Sequence, residues 1–109
     1  MGPTPEDEAI ARKLTERLVA EFHPLRIVWF GSRVAGTATP DSDWDLLVVA
    51  ESAQPQAARM TRGLLATADV DVARDILVFT PAERDRLITW KSSVVYSAER
   101  TGRVLYEAA

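Results

Sequence analysis

The chain has 109 residues, of which 47% are hydrophobic and 27% are charged, and its formal net charge is −3. This size and composition predict one globular domain spanning residues 1–109. The acidic balance argues against strong binding to nucleic acid, which favours a basic surface. The sequence contains no cysteine, which excludes disulfides and thiolate chemistry. Because it has no long apolar run and begins with an acidic, polar segment, we expect a cytoplasmic protein that does not enter membranes.

An amphipathic helix is predicted over residues 5–22. Its apolar side chains recur at the four-residue spacing that places them on one helix face. They are Ile10, Leu14, Leu18 and Phe22. Thr4 is suited to cap the first turn, with Pro5 at the first helical position, and Pro24 is expected to stop the helix.

The rest of the chain alternates between strand and helix patterns. In chain order these are a strand at 26–30, a short helical turn and loop at 32–41, a strand at 43–50, a helix at 54–67, a strand at 72–80, helices at 81–89 and 92–100, and a last strand at 103–106. The second strand is apolar on both faces from Leu46, so both sides of the sheet should be covered. We therefore predict an α/β (α+β) fold, with a small mixed sheet and helices packed on it.

Gly31 and Ser32 follow the first strand and open the short helical turn. Glycine allows the backbone to approach a ligand closely, and the free N–H groups at a helix start attract phosphate oxygens. Ser32 adds a hydroxyl donor and Arg33 a planar cation that matches phosphate. Taken alone, a glycine and serine after a strand are more often an ordinary turn.

Asp43 and Asp45 are a more specific signal, because side chains two residues apart in a strand point to the same face. Trp44 should therefore point to the opposite face. Two neighbouring carboxylates repel each other unless a cation lies between them. Hard divalent cations such as Mg²⁺ take oxygen ligands, so this pair predicts a metal site.

A third carboxylate is available before the third strand, where Asp69, Asp71 and Asp75 share the same strand parity. Asp75 precedes an apolar run just as Asp45 does. If the two runs pair as neighbouring strands, Asp45 and Asp75 lie at one end of the sheet, within reach of a shared metal cluster. We therefore favour Asp75, with Asp71 as the alternative.

Other residues with chemical potential are interpreted structurally. The three tryptophans are more often core or interface residues than platforms for base stacking, and residues 83–86 resemble a solvated helix face. Arg74 neighbours Asp75, but strand alternation directs it to the other face. Ala57, Ala58, Leu64 and Leu65 are the core positions expected of the helix at 54–67.

The segment GSRVAGTATPDSDWDLLVV resembles the signature of the DNA polymerase β-type nucleotidyltransferase superfamily, and more narrowly the minimal nucleotidyltransferases. The resemblance extends from about Ile27 to Glu107. It implies transfer of a nucleoside monophosphate, AMP from ATP, to an acceptor hydroxyl. It also implies that Asp43 and Asp45 bridge two Mg²⁺ ions, that Asp75 holds the catalytic ion and helps deprotonate the acceptor, and that the phosphates are gripped by Gly31, Ser32 and Arg33.

The resemblance also implies a partner. Minimal nucleotidyltransferases often accompany a small helical HEPN protein as the antitoxin of a toxin–antitoxin pair, and some transfer AMP to it. We expect no room for an acceptor-binding domain after the catalytic core, so another chain is expected to supply the acceptor. The alternative is a non-catalytic antitoxin or scaffold module that binds its partner and retains nucleotide and metal binding. A two-metal phosphodiesterase or nuclease is a less favoured third interpretation.

Overall fold

The computed structural model describes residues 2–109. Its helices and strands, in chain order, are Pro5–Phe22 (α1), Arg26–Phe30 (β1), Ser32–Ala35 (α2), Trp44–Val49 (β2), Gln56–Ala66 (α3), Arg74–Phe79 (β3), Pro81–Leu87 (α4), Val94–Thr101 (α5) and Arg103–Glu107 (β4). This order confirms the predicted α/β fold. No helix of the described part is both long enough and apolar enough to cross a membrane.

The four strands form one mixed sheet in the order β3-β2-β1-β4. β1 is antiparallel to both of its neighbours, whereas β2 and β3 are parallel. Two consecutive strands can pair in parallel only if the chain crosses back over the sheet between them, and α3 provides that connection. The parallel pair matters for function because it brings the starts of β2 and β3 to the same end of the sheet.

Helices cover both faces of the sheet, as the apolar second strand predicts. Alternate strand residues such as Trp29, Leu46 and Ile76 pack with α1 on one face. Val28, Leu47 and Phe79 point the other way and pack with Val95 and Ala98 of α5. The result is a layer of α1 and α3, the sheet, and a layer of α4 and α5.

The buried face of α3 differs from the prediction. Leu64 and Leu65 are 41% and 72% exposed, whereas Arg59 is only 4% exposed. Gly63 is also buried, and a Cβ at this position would lie 2.7 Å from Cγ2 of Ile76. The expectation that leucines mark the core of this helix was therefore wrong, because close approach to β3 requires glycine at the contact. Ala57 is likewise exposed and Ala58 is half-buried.

Buried Arg59 joins α3 to β3 and α4. Its guanidinium donates to the Val78 carbonyl at 2.6 Å and to the Glu83 carboxylate at 2.8 and 3.0 Å. Glu83 also accepts from the N–H of Thr80 in the capping box of α4. Residues 83–86 are therefore not simply a solvated face, because Glu83 anchors the start of its helix and Arg84 pairs with Glu99 at 3.1 Å.

The charged form of Glu83 is strongly favoured in the folded protein. The Arg59 guanidinium, helped by the Thr80 N–H, lowers the pKa of Glu83 from 4.5 to about 2. A carboxyl group with a lowered pKa stabilises the fold above its unfolded-state pKa, and this contribution is lost as the pH falls. The relevant window therefore extends from about pH 4.5 down to about pH 2.

We predict that Glu83→Gln lowers the free energy of unfolding at neutral pH by about 2 kcal/mol, less than the full pKa shift because the pair is partly solvated. The difference from the unaltered chain should shrink as the pH falls from 4.5 towards 2. Urea unfolding over a pH series measures it. Asp85→Asn, on the exposed side of the same helix, is the control and should change stability little. A difference that does not vary with pH would contradict the assignment.

Candidate active site

Two aspartates face each other at one end of the sheet. Asp45 is the second residue of β2, and its register partner in parallel β3 is Asp75. Adjacent strands lie roughly 4.8 Å apart, so both carboxylates emerge close together. Asp43 lies just before β2 and is exposed. We call Asp43, Asp45 and Asp75 the acidic edge.

Trp44 lies between Asp43 and Asp45 in the sequence, but strand alternation directs its side chain to the other face of the sheet. Trp44 is 1% exposed and lies in the core with α1. Its ring stacks on Trp29, with centroids 4.6 Å apart and planes 8° from parallel. Asp45 has the parity of Leu47, which packs on the opposite face with α5. The carboxylates therefore open on the α4–α5 side, and the sheet lies between them and the stacked rings.

The electrostatics of the acidic edge are unfavourable without a cation. Burial raises the pKa of Asp45 above its ordinary value, and the nearby charges of Asp75 and Asp43 raise it further. All of these causes act in the same direction, and none is a basic side chain. The protein thus holds an aspartate in a place where its own charge is disfavoured, which is common at functional sites.

The chemistry of the acidic edge fits a hard divalent cation. Carboxylate oxygens are the ligands that Mg²⁺ prefers, and a cation would relieve the repulsion among them. Within residues 2–109, no three His, Cys, Asp or Glu side chains are close enough together to form a ready-made metal cluster. The donors are therefore of the right kind and at the same end of the sheet, but they have not converged on one point.

Gly31 lies directly against the acidic edge. It precedes α2 with φ 88° and ψ −165°, a conformation that is essentially restricted to glycine. A Cβ on Gly31 would overlap Oδ2 of Asp45. Ser32 then begins α2, where the first backbone N–H groups have no partner within the helix. The structure therefore brings together the glycine–serine turn and the carboxylate of Asp45.

Arg33 is the candidate site residue with the most internal contacts. Its guanidinium donates to the Ser42 carbonyl at 2.8 and 3.1 Å and lies 3.4 Å from an oxygen of Asp7. It also stacks over the Trp44 ring, 5.2 Å from the centroid. Sequence reasoning missed these contacts because their partners, 9 to 26 residues away along the chain, meet Arg33 only in the folded protein.

The remaining aspartates near β3 lie elsewhere. Asp69 pairs with Arg17 of α1 at 2.8 Å, and Asp71 lies exposed in the connection before β3. Arg74 donates to the Leu64 carbonyl at 2.8 Å and to Thr67 Oγ1 at 2.6 Å, away from Asp75. Of the two alternatives for the third carboxylate, only Asp75 is the register partner of Asp45.

Removing one charge from the acidic edge should stabilise the metal-free protein. The pKa of Asp45 is raised in the folded state, so its ionised form destabilises the fold at neutral pH. We predict that Asp45→Asn raises the free energy of unfolding by about 1 kcal/mol, as is common where function requires unfavourable contacts. Urea unfolding with a chelator present measures the change, with Asp71→Asn as control. A less stable Asp45→Asn protein would contradict mutual repulsion.

The fit of Gly31 against Asp45 gives a second prediction. Gly31→Ala should lower the free energy of unfolding by about 3 kcal/mol, because it adds backbone strain and an overlap with Asp45. Gly36→Ala is the matched control. Gly36 also has positive φ, 81°, but it lies in the ordinary left-handed region at the end of α2 and should lose only about 1 kcal/mol. Equal losses in thermal or urea unfolding would show that the overlap with Asp45 is unimportant.

Comparison with known proteins identifies the family and the fold. The family model described as "Nucleotidyltransferase domain" matches residues 11–104. Among solved structures, a Sulfolobus solfataricus protein named as a candidate nucleotidyltransferase shares 20% identity and the fold, with a TM-score of 0.61 over 91% of this chain and 78% of that one. No curated protein matches the sequence. Because the family match spans most of its length, the chain belongs to the nucleotidyltransferase domain family.

Proposed function

We propose that this protein is a magnesium-dependent nucleotidyltransferase that transfers AMP from ATP to an acceptor hydroxyl. The observation that carries the proposal is the register pairing of Asp45 with Asp75, with Gly31 in contact distance of the same carboxylate. A purely structural role gives no reason to concentrate like charges beside a glycine whose conformation other residues rarely adopt. A phosphate-binding turn next to a cation site requires both features.

The acidic edge is assigned to metal binding. We propose that Asp43, Asp45 and Asp75 would hold two Mg²⁺ ions. When bound, the ions supply charge that stabilises the attacking and leaving oxygens of an in-line displacement. This assignment rests on the donor chemistry and on the raised pKa of Asp45, which reflects burial and negative neighbours. A cation beside these carboxylates would stabilise their ionised forms.

The residues of the chain would position the reactants and move one proton. Backbone N–H groups after Gly31 and the Ser32 hydroxyl hold the terminal phosphates through hydrogen bonds. The acceptor oxygen attacks the α-phosphorus, the bond from that phosphorus to the bridging oxygen breaks, and pyrophosphate leaves. Asp75 takes the proton of the acceptor hydroxyl. Most of the catalytic effect then comes from orientation and charge compensation.

For the acceptor we propose a hydroxyl of a small helical HEPN protein, for which this chain would act as the antitoxin. The support is the resemblance of the Gly31–Asp45 segment and the C-terminal part of the chain to minimal nucleotidyltransferases. AMP attached to the partner would block its activity covalently. The competing proposal is that binding alone neutralises the partner. Substitution of the carboxylates should abolish neutralisation if it depends on AMP transfer, and should leave it intact if binding is enough.

The decisive experiment supplies α-labelled ATP and Mg²⁺ to the protein together with proteins of the source cell. We expect the label on one acceptor and release of pyrophosphate. Asp75→Asn should reduce transfer at least about 100-fold, as expected for loss of a group that acts in the transition state. Asp71→Asn is the matched control, because it removes an exposed aspartate four residues away and should leave transfer unchanged.

Each alternative outcome has a distinct meaning. No labelled product with any protein or nucleic acid would contradict the enzyme proposal. Hydrolysis of a diester without pyrophosphate would indicate a phosphodiesterase. If transfer depends on Asp71 and not on Asp75, then Asp71 is the third carboxylate of the site. If a protein with both Asp43→Asn and Asp45→Asn still neutralises the partner, the alternative of a non-catalytic binding module is favoured.

A further inference from the structure

Beneath the acidic edge, two arginines and two tryptophans form a continuous stack across the sheet. Trp44 of β2 and Trp29 of β1 are parallel at 4.6 Å, and both are buried. The guanidinium of Arg33 covers the outer side of Trp44 at 5.2 Å from the ring centroid, and that of Arg103 lies at the same distance from Trp29. Guanidinium groups on aromatic faces are attracted by the ring quadrupole.

Consecutive acids of α1 hold both ends of this stack. Asp7 lies 3.4 Å from Arg33, and Glu8 pairs with Arg103. Each arginine therefore has an aromatic face on one side and a carboxylate from the first turns of α1 on another. Arg33 is the more buried of the two, with 15% of its side chain exposed against 43% for Arg103. They also differ in one further contact, which makes Arg103 a reference for Arg33.

That difference is a bond to the segment that carries Asp43. Arg33 donates from Nη2 and Nε to the carbonyl of Ser42, at 2.8 and 3.1 Å. Ser42 immediately precedes Asp43 and closes a turn with Thr39, donating from its N–H to the Thr39 carbonyl at 3.0 Å. The guanidinium thus links α2 to the loop of residues 37–43, whereas Arg103 makes no hydrogen bond to this loop within the described residues.

Asp43 needs such an anchor for a physical reason. It lies outside the hydrogen-bonded register of β2, is exposed, and carries the same charge as neighbouring Asp45. Repulsion would push a free loop away from the acidic edge. A charge-assisted bond to the preceding carbonyl opposes that movement.

We propose that Arg33 is a positioning residue for nucleotidyl transfer, which fixes the loop of residues 37–43 and thereby Asp43, and that it is not a ligand of the triphosphate. Most of the N–H donors of its guanidinium are already engaged. Nε and Nη2 are directed to the Ser42 carbonyl, Nη1 is directed to Asp7, and one face of the guanidinium lies on Trp44. To grip a phosphate with two parallel N–H donors, Arg33 would have to give up at least one of these contacts. The inference rests on the proposed function for the reaction that Asp43 serves.

The test compares Arg33→Lys with Arg103→Lys, the same substitution at opposite ends of one stack. In the metal-free proteins, amide hydrogen exchange of residues 37–43 should become about tenfold faster in Arg33→Lys, the change that corresponds to about 1.4 kcal/mol of local stability. Exchange of β2 should change little. In Arg103→Lys, exchange of the loop should match that of the unaltered protein. Lysine keeps the charge but cannot make the paired bond to Ser42.

The second measurement separates positioning from phosphate binding. We expect Arg33→Lys to lower kcat about 10-fold to 100-fold, the effect of a displaced catalytic group, with the affinity for ATP in the absence of metal unchanged. Unchanged hydrogen exchange of the loop in Arg33→Lys would overturn the inference. Loss of ATP affinity in the absence of metal would also overturn it, and would show that Arg33 binds phosphate. If Arg33→Lys does not fold, Asp7→Asn weakens the same anchor from α1 and should give a smaller increase in loop exchange.

The two proposals can fail separately. If the unaltered protein transfers no nucleotide, the proposed function fails, and the exchange experiment still decides whether Arg33 fixes the loop. If transfer occurs but the loop exchanges equally in both lysine variants, the proposed function stands and the positioning role is refuted.

Discussion

The parallel pairing of β2 and β3 is the constraint on which the rest of this structure depends. It sets Asp45 opposite Asp75, although the two charges repel each other, because the residues that follow both acids are buried. Leu46 and Ile76 are completely or almost completely buried next to the carboxylates. Because side chains alternate, a slip of one residue would turn these apolar side chains towards the wrong face. The register that buries the core therefore also creates the acidic edge.

The opposite end of the sheet shows how the fold offsets this cost. There Arg26, opposite Val49, pairs with Glu99 at 2.9 Å, and Arg84 pairs with the same carboxylate at 3.1 Å. Close by, Arg59 of α3 pairs with Glu83 and donates to the Val78 carbonyl. These ion pairs tie α3, α4 and α5 to the strands. They lie away from Asp45 and Asp75, so they can offset the cost of the acidic edge without neutralising it.

Features set by local pattern could be predicted from the sequence, and features set by long-range contact could not. The spacing of Leu14 and Leu18 and the cap at Thr4 are local, and helix α1 begins and ends where they predict. The face of α3 was missed because burial there depends on how closely Gly63 approaches β3, and the two leucines beside it remain exposed. Strand alternation was enough to predict that Trp44 and the carboxylates lie on opposite faces of the sheet. It did not reveal that Trp44 would stack between Trp29 and an arginine.

Arg33 shows why chemical type alone is a weak guide to role. An arginine directly after a glycine–serine turn is well suited to phosphate, and nothing nearby in the sequence indicates another partner. In the fold, the buried ring of Trp44 offers it a face and the Ser42 carbonyl accepts its bonds. Both partners belong to the segment that carries the aspartates. Arg33 acts on the acidic edge through its bonds, which fix the backbone that presents Asp43, and its charge is not among the causes that set the pKa of Asp45. This effect depends on geometry and would be lost with lysine even though the charge is kept.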